Sequence, residues 1–195
     1  MAELTFTSKL TWTGGRLSHG RVEAGGEIFQ FSVPASMGGL GAGTNPEELL
    51  MSAVGSCYTA TLAAILEAGQ LPTASLEVTV DGCVSDYPRR TARFSTITVS
   101  PTFIGIESGR RADYESAASK ARDRCFIGGN LGPQVAYKVG EVGFVEARSA
   151  TADVLDVRVL PPRSDTGSSA ASAVSAARPA GGTAVLPLST EVTEL

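Results

Sequence analysis

The chain is poor in the side chains on which most metal and acid–base chemistry relies. Its 195 residues include one histidine, three cysteines and one tryptophan. His19 and the widely spaced Cys57, Cys83 and Cys125 form no short ligand pair, so no metal site is expected. An odd number of cysteines argues against a disulfide framework and for free thiols in a reducing compartment. No uninterrupted apolar run reaches about 18 residues, so no membrane span is expected. The opening "MAELTFTSKL" places acidic and polar residues where a signal peptide has its apolar centre, which points to a cytoplasmic chain. A net charge of only −4, with no basic run, removes the electrostatic footprint of a nucleic-acid binder. Aromatic residues, methionine and cysteine are all absent beyond Phe144. The segment 149–195 is built from Ala, Ser, Thr, Gly and Pro and cannot bury enough surface to offset its ordering entropy. The expected organisation is one globular domain over 1–148 and a disordered tail over 149–195, without internal repeats.

What is present alternates between strand and helix signals. "LTFTSKLTWTGG" and "EIFQFSV" alternate with a period of two, and "GGRLSHGRVEAGG" reads as the turn between them. "SLEVTVDGCVS" and "RFSTITVSPTFI" read as a second strand pair, and "VAYKVGEVGFVEA" as one last strand. The first helix opens at Asn45, a capping residue followed by Pro46 and, three residues on, Glu48, and is expected to run to Gly69. The second helix is expected over about 110–126, stopping at Gly128-Gly129. Strands grouped around two helices predict an α+β fold.

One cysteine falls in the middle of the first helix. Leu50, Val54, Cys57, Thr61 and Ala64 share a stripe, so Cys57 points to the interior or to an interface. On position alone it reads as a small packed side chain. A reactive role faces an obstacle, because apolar burial raises a thiol pKa and the helix dipole acts only in the first turn. A cation from elsewhere is then expected to hold the thiolate. Arginine is the candidate, with Arg16 and Arg21 in "TGGRLSHGR" beside flexible glycines. A buried guanidinium needs a carboxylate to orient it, and Glu47 is the one left once Glu48 caps the helix. Ten residues of helix put Glu47 about 15 Å from Cys57. Either the first helical turn unwinds, or Glu47 and Cys57 come from different subunits.

"GTNPEELLMSAVGSCYTATLA", preceded by "TGGR" and followed by "KARDRCF", resembles the OsmC/Ohr family of osmotically inducible and organic hydroperoxide resistance proteins. The resemblance spans about residues 8–145. It implies antiparallel sheets with two central helices, assembled as an intertwined homodimer. It further implies a thiol peroxidase that reduces organic hydroperoxides to alcohols without a cofactor. By resemblance Cys57 is the peroxidatic thiolate and Cys125 the resolving thiol, so the two would pair as a disulfide. Arg16 would activate Cys57, and Glu47 would orient Arg16. Dithiols, including dihydrolipoyl groups on lipoylated proteins, are reductants of the family. Members usually carry proline directly after the second cysteine, where this chain has Phe126. Cys83 is expected to be structural. The alternative is a domain of this fold that binds a small hydrophobic ligand or a partner with little peroxidase turnover. A cysteine acyl-transferase or hydrolase finds no base, since His19 sits apart from any motif.

Overall fold

A computed structural model gives the structure of residues 3–145, apart from the Ser108 side chain; the expected tail at 149–195 lies outside the described residues. The first three strands form a sheet of their own. β1 (Ser8–Thr13), β2 (His19–Ala24) and β3 (Glu27–Ser32) pair antiparallel in that order. β2 lies in the segment expected to be a turn, and His19 is its first residue, paired with both Thr13 and Ser32. Sequence propensity misses this strand because "HGRVEA" holds one β-branched residue and a glycine. That glycine is what the packing requires, since a Cβ on Gly20 would stand 2.4 Å from the Phe31 ring. Trp12 and Phe31 rings meet at 5.5 Å across the sheet.

Beyond β3 the chain is pinned by Ser32, whose buried hydroxyl donates to the Ala42 carbonyl at 2.8 Å and accepts from its N–H at 2.7 Å. The long helix α1 (Pro46–Ala68) then begins as its capping signals predict. Asn45 Oδ1 accepts the Glu48 N–H at 2.8 Å, while the Glu48 carboxylate turns to the Thr44 hydroxyl at 3.1 Å. An 18-residue window of α1 reaches a mean hydropathy of 1.7, long and apolar enough by composition to cross a bilayer, so the expectation of no membrane-length stretch needs amending. Its largest apolar side chains have another use. Val54, Tyr58, Leu62 and Leu66 are buried in the core with Ile97, Val99, Phe103 and Tyr114.

β4 (Ser75–Ser85) and β5 (Arg93–Ile104) match the expected strand pair and are antiparallel. The last segment is two strands rather than one. β6 (Ala136–Val139) and β7 (Gly143–Val145) both run parallel to β5, so this sheet is mixed rather than wholly antiparallel. β6 covers Thr96–Val99 and β7 covers Thr102–Ile104, leaving the interruption beside Pro101. A proline in an inner strand has no N–H to give a neighbour, and here the neighbour breaks where that bond would be wanted.

The second helix, α2 (Arg111–Arg124), ends before Cys125. Cys125 is extended (φ −64°, ψ 112°), and the chain then makes the single turn α3 (Phe126–Gly129). Cys125 thus sits on a joint rather than inside a helix as expected. Its sulfur accepts the Gly128 N–H at 3.3 Å, which caps α3 and moves the helix stop ahead of the two glycines.

Candidate functional site

Mid-α1 and the α2–α3 joint bring Cys57 and Cys125 together. Both are free thiols, Cys125 buried and Cys57 half-buried, close enough for each to act on the other's ionisation, while the Cys125 S–H points to the Val54 carbonyl at 4.0 Å. The Ile127 N–H points at Cys57 Sγ from 3.5 Å. Burial pushes the Cys57 thiol up, but the Ile127 N–H, the Cys125 side chain, the Phe126 N–H and the Thr61 hydroxyl outweigh it, leaving Cys57 below its ordinary value. Burial pushes Cys125 up, and proximity to Cys57 adds to this; the Gly128 N–H and Tyr137 oppose it without prevailing. One sulfur is biased toward thiolate and its neighbour toward thiol. The expected need for a cation left out these neutral donors, two of which, the Ile127 and Phe126 N–H groups, the α3 turn supplies from backbone.

The other candidate residues stand apart from the thiols within the protomer. Arg16 is on the β1–β2 turn, its guanidinium donating to the Met37 and Gly38 carbonyls. Arg16 and Glu47 of one chain make no ion pair. Glu47 Oε2 is sealed from solvent and has no hydrogen-bond partner among the described residues. A buried carboxylate oxygen left so is expensive. α1 is continuous from Pro46, so of the two arrangements the sequence leaves open, an unwound first turn does not occur. Cys83 is exposed at a β-bulge of β4, remote in sequence and fold from the thiol pair.

The surroundings divide into core and surface. Val54 and Tyr58, although within one turn of Cys57 in sequence, are fully buried, and the Tyr58 hydroxyl donates to the Ala118 carbonyl at 3.2 Å. Phe126 is 73% exposed beside the thiols. A groove of about 690 Å³ runs between α1 and α2, lined by Thr61, Ile65, Leu71, Ala117, Lys120 and Arg124 among others. It starts one turn from Cys57, where the Thr61 hydroxyl also donates to the Cys57 carbonyl at 2.8 Å.

Two residues complete the site: Thr61, which the sequence places on the Cys57 stripe without a role, and Tyr137, which it does not single out. The Tyr137 hydroxyl is sealed from solvent against Cys125 but closes no hydrogen bond of normal geometry among the described residues. Burial, and then Cys125, push its pKa well up. In "VAYKVG" it looks like any strand aromatic.

Comparison with known proteins agrees with this architecture. The profile of the OsmC-like protein family matches residues 39–139. The uncharacterized protein YmaD of Bacillus subtilis (strain 168) is 40% identical over 130 residues, covering 65% of this chain and 86% of that protein. An organic hydroperoxide resistance protein OsmC of Legionella pneumophila superposes with a TM-score of 0.58 at 18% identity, over 74% of this chain and all of that one. An OsmC-like protein of Mycoplasma pneumoniae does so with a TM-score of 0.59 at 16% identity, over 73% of this chain and all of that one. With two helices laid on its mixed sheet, two cysteines meeting where they adjoin, and a matching profile over half its length, the chain belongs to the OsmC-like family.

Proposed function

We propose that this protein is a thiol-dependent peroxidase that reduces organic hydroperoxides to alcohols in a reducing cytosol. The Cys57 thiolate attacks one peroxide oxygen, the O–O bond breaks, and the departing alkoxide takes a proton to leave as alcohol. Cys57 is then a sulfenic acid. Cys125 attacks the Cys57 sulfur, the S–S bond forms, and the hydroxide lost from Cys57 leaves as water with the Cys125 proton. An external dithiol, such as a dihydrolipoyl group on a lipoylated protein, returns both cysteines to thiols and itself becomes a disulfide. The observation that carries this reading is the pair of free thiols brought together at the α2–α3 joint, with the Ile127 N–H aimed at Cys57 Sγ and the Gly128 N–H at Cys125 Sγ.

Arg16 and Glu47 enter through a homodimer. Arg16 would stabilise the Cys57 thiolate and the charge developing on the leaving oxygen, with Glu47 orienting the guanidinium. The sealed, unpartnered Glu47 oxygen supports this, as do the apolar side chains Leu10, Trp12 and Ile28 left exposed on the β1–β3 sheet. The test is steady-state turnover of cumene hydroperoxide and hydrogen peroxide with small dithiols and with a lipoylated protein. A higher kcat/KM for cumene hydroperoxide, lost in Cys57→Ser, is the expected result. No turnover of either peroxide with any dithiol would refute the proposal and leave a ligand- or partner-binding domain.

A further inference from the structure

We propose that Tyr137 is the hydrogen-bond donor that receives the Cys125 thiolate whenever that sulfur carries charge, so that it acts in the making and breaking of the Cys57–Cys125 bond. The inference rests on the resolving role given to Cys125 above. Three observations lead to it. Tyr137 is delivered by β6, opposite Ile97 of β5, so its ring is fixed by the sheet rather than by a loop. The ring packs closely against Gly128, where an added Cβ would stand 2.2 Å from Tyr137 Cε1. The glycine that donates to Cys125 Sγ is therefore also the one whose bareness lets the ring approach. Finally, the hydroxyl is sealed and unpartnered among the described residues, and Cys125, Tyr58 and Cys57 are the groups that act on it.

A sealed hydroxyl without a partner is costly, and phenylalanine would fill the same space. The oxygen acquires a use only if a strong acceptor arises beside it during turnover. In the dithiol state Cys125 is a protonated thiol, a weak acceptor already taking the Gly128 N–H. The neighbouring Tyr58 hydroxyl is committed to Ala118 and is not available. When Cys125 loses its proton to attack the sulfenic acid, its sulfur becomes a full acceptor, and the Tyr137 O–H completes that bond. Return runs the same way: an external thiolate attacks Cys57 Sγ, the S–S bond breaks, and Cys125 departs as a thiolate onto the tyrosine before taking a proton. No further oxidant or reductant is needed.

The experiment follows resolution without a peroxide. In a Cys83→Ser background an aromatic disulfide reagent reacts first at Cys57 and releases one coloured thiolate. Cys125 then displaces the second from Cys57. Tyr137→Phe keeps the ring on Gly128, so the first release is expected to be unchanged. The second is expected to slow by about tenfold, the worth of one hydrogen bond to a charged group. Its pH profile is expected to move to higher pH, because a Cys125 thiolate deprived of a donor forms later. The other titratable groups facing Cys125, Cys57 and Tyr58 on α1, are the same in both proteins. Gly128→Ala, which drives the ring away, is expected to give the same slowing. A second release in Tyr137→Phe with unchanged rate and unchanged pH profile overturns the proposal. Both proteins are also treated with cumene hydroperoxide. If the peroxide oxidises neither, the peroxidase function falls, while the coloured phases still decide the role of Tyr137.

Discussion

Whether one active site draws on two chains can be decided by complementation. Glu47 and Cys57 lie on a helix that is intact from its Asn45 cap onward. Ten residues at 1.5 Å each place them about 15 Å apart. A guanidinium must come within roughly 3 Å of each partner to bond both, and its own fork spans only a few ångströms. No arginine can close that gap on one protomer, whereas two crossing α1 helices can bring Glu47 of one beside Cys57 of the other. Cys57→Ser and Glu47→Ala chains, each inactive and each confirmed dimeric, are mixed in equal amounts, unfolded and refolded together. Random pairing in a two-fold dimer makes half the molecules heterodimers, each with one intact and one doubly defective site, so about a quarter of the wild-type activity should return. Under the one-chain alternative every site carries a defect, and activity stays at the level of the separate mutants. That flat result, or a wild-type protein that is monomeric at assay concentration, would refute the shared site.

The remaining expectations concern the thiols, the surface beside them and the core. Because Cys57 is held below and Cys125 above the ordinary thiol value, iodoacetamide at about pH 6 should label Cys57 before Cys83, and Cys125 last; peptide mapping with Cys83 labelled first would contradict the donor geometry. The exposed Phe126 ring should contact a bulky peroxide, so Phe126→Ala should lower kcat/KM for cumene hydroperoxide about fivefold, an aromatic contact of ~1 kcal/mol, and leave hydrogen peroxide unchanged. Equal losses on both substrates would show that Phe126 shapes the site rather than binding the substrate. Leu62 is fully buried, so Leu62→Ala should cost about 2–5 kcal/mol in urea unfolding, and a cost under about 1 kcal/mol would mean the core is not packed around it.

Those parts of the fold that were legible in the sequence are the ones specified by side-chain type. The ends of α1 follow from Asn45, Pro46 and Gly69, and β4 and β5 from long stretches in which β-branched and aromatic residues alternate with polar ones. β2 was hidden because its pairing depends on a glycine lying under Phe31, a contact from another strand. The division of the last strand depends on Pro101, which lies some 40 residues earlier, and so could not be read from "VAYKVGEVGFVEA" itself. At the site, the two cysteines announced themselves by type and by family resemblance. The donors that tune them did not. Ile127, Phe126 and Gly128 act through backbone N–H groups, which every residue but proline possesses, and only the α3 turn aims them. Phe126 keeps an N–H that a proline at that position would remove.

The break between α2 and α3 has a mechanical meaning. A side chain within a continuous helix can move toward a neighbour only by changing rotamer or by dragging several turns with it, since its Cβ direction is set by the helix. Cys125 stands outside that constraint. Its extended backbone separates a long, packed helix from a single turn of four residues, so a change of a few tens of degrees in its torsions swings a light segment and leaves α2 where it is. The joint behaves as a compliant mount on a stiff frame: the sulfur can shorten its distance to a fixed partner, and recoil from it, while α2 keeps its place.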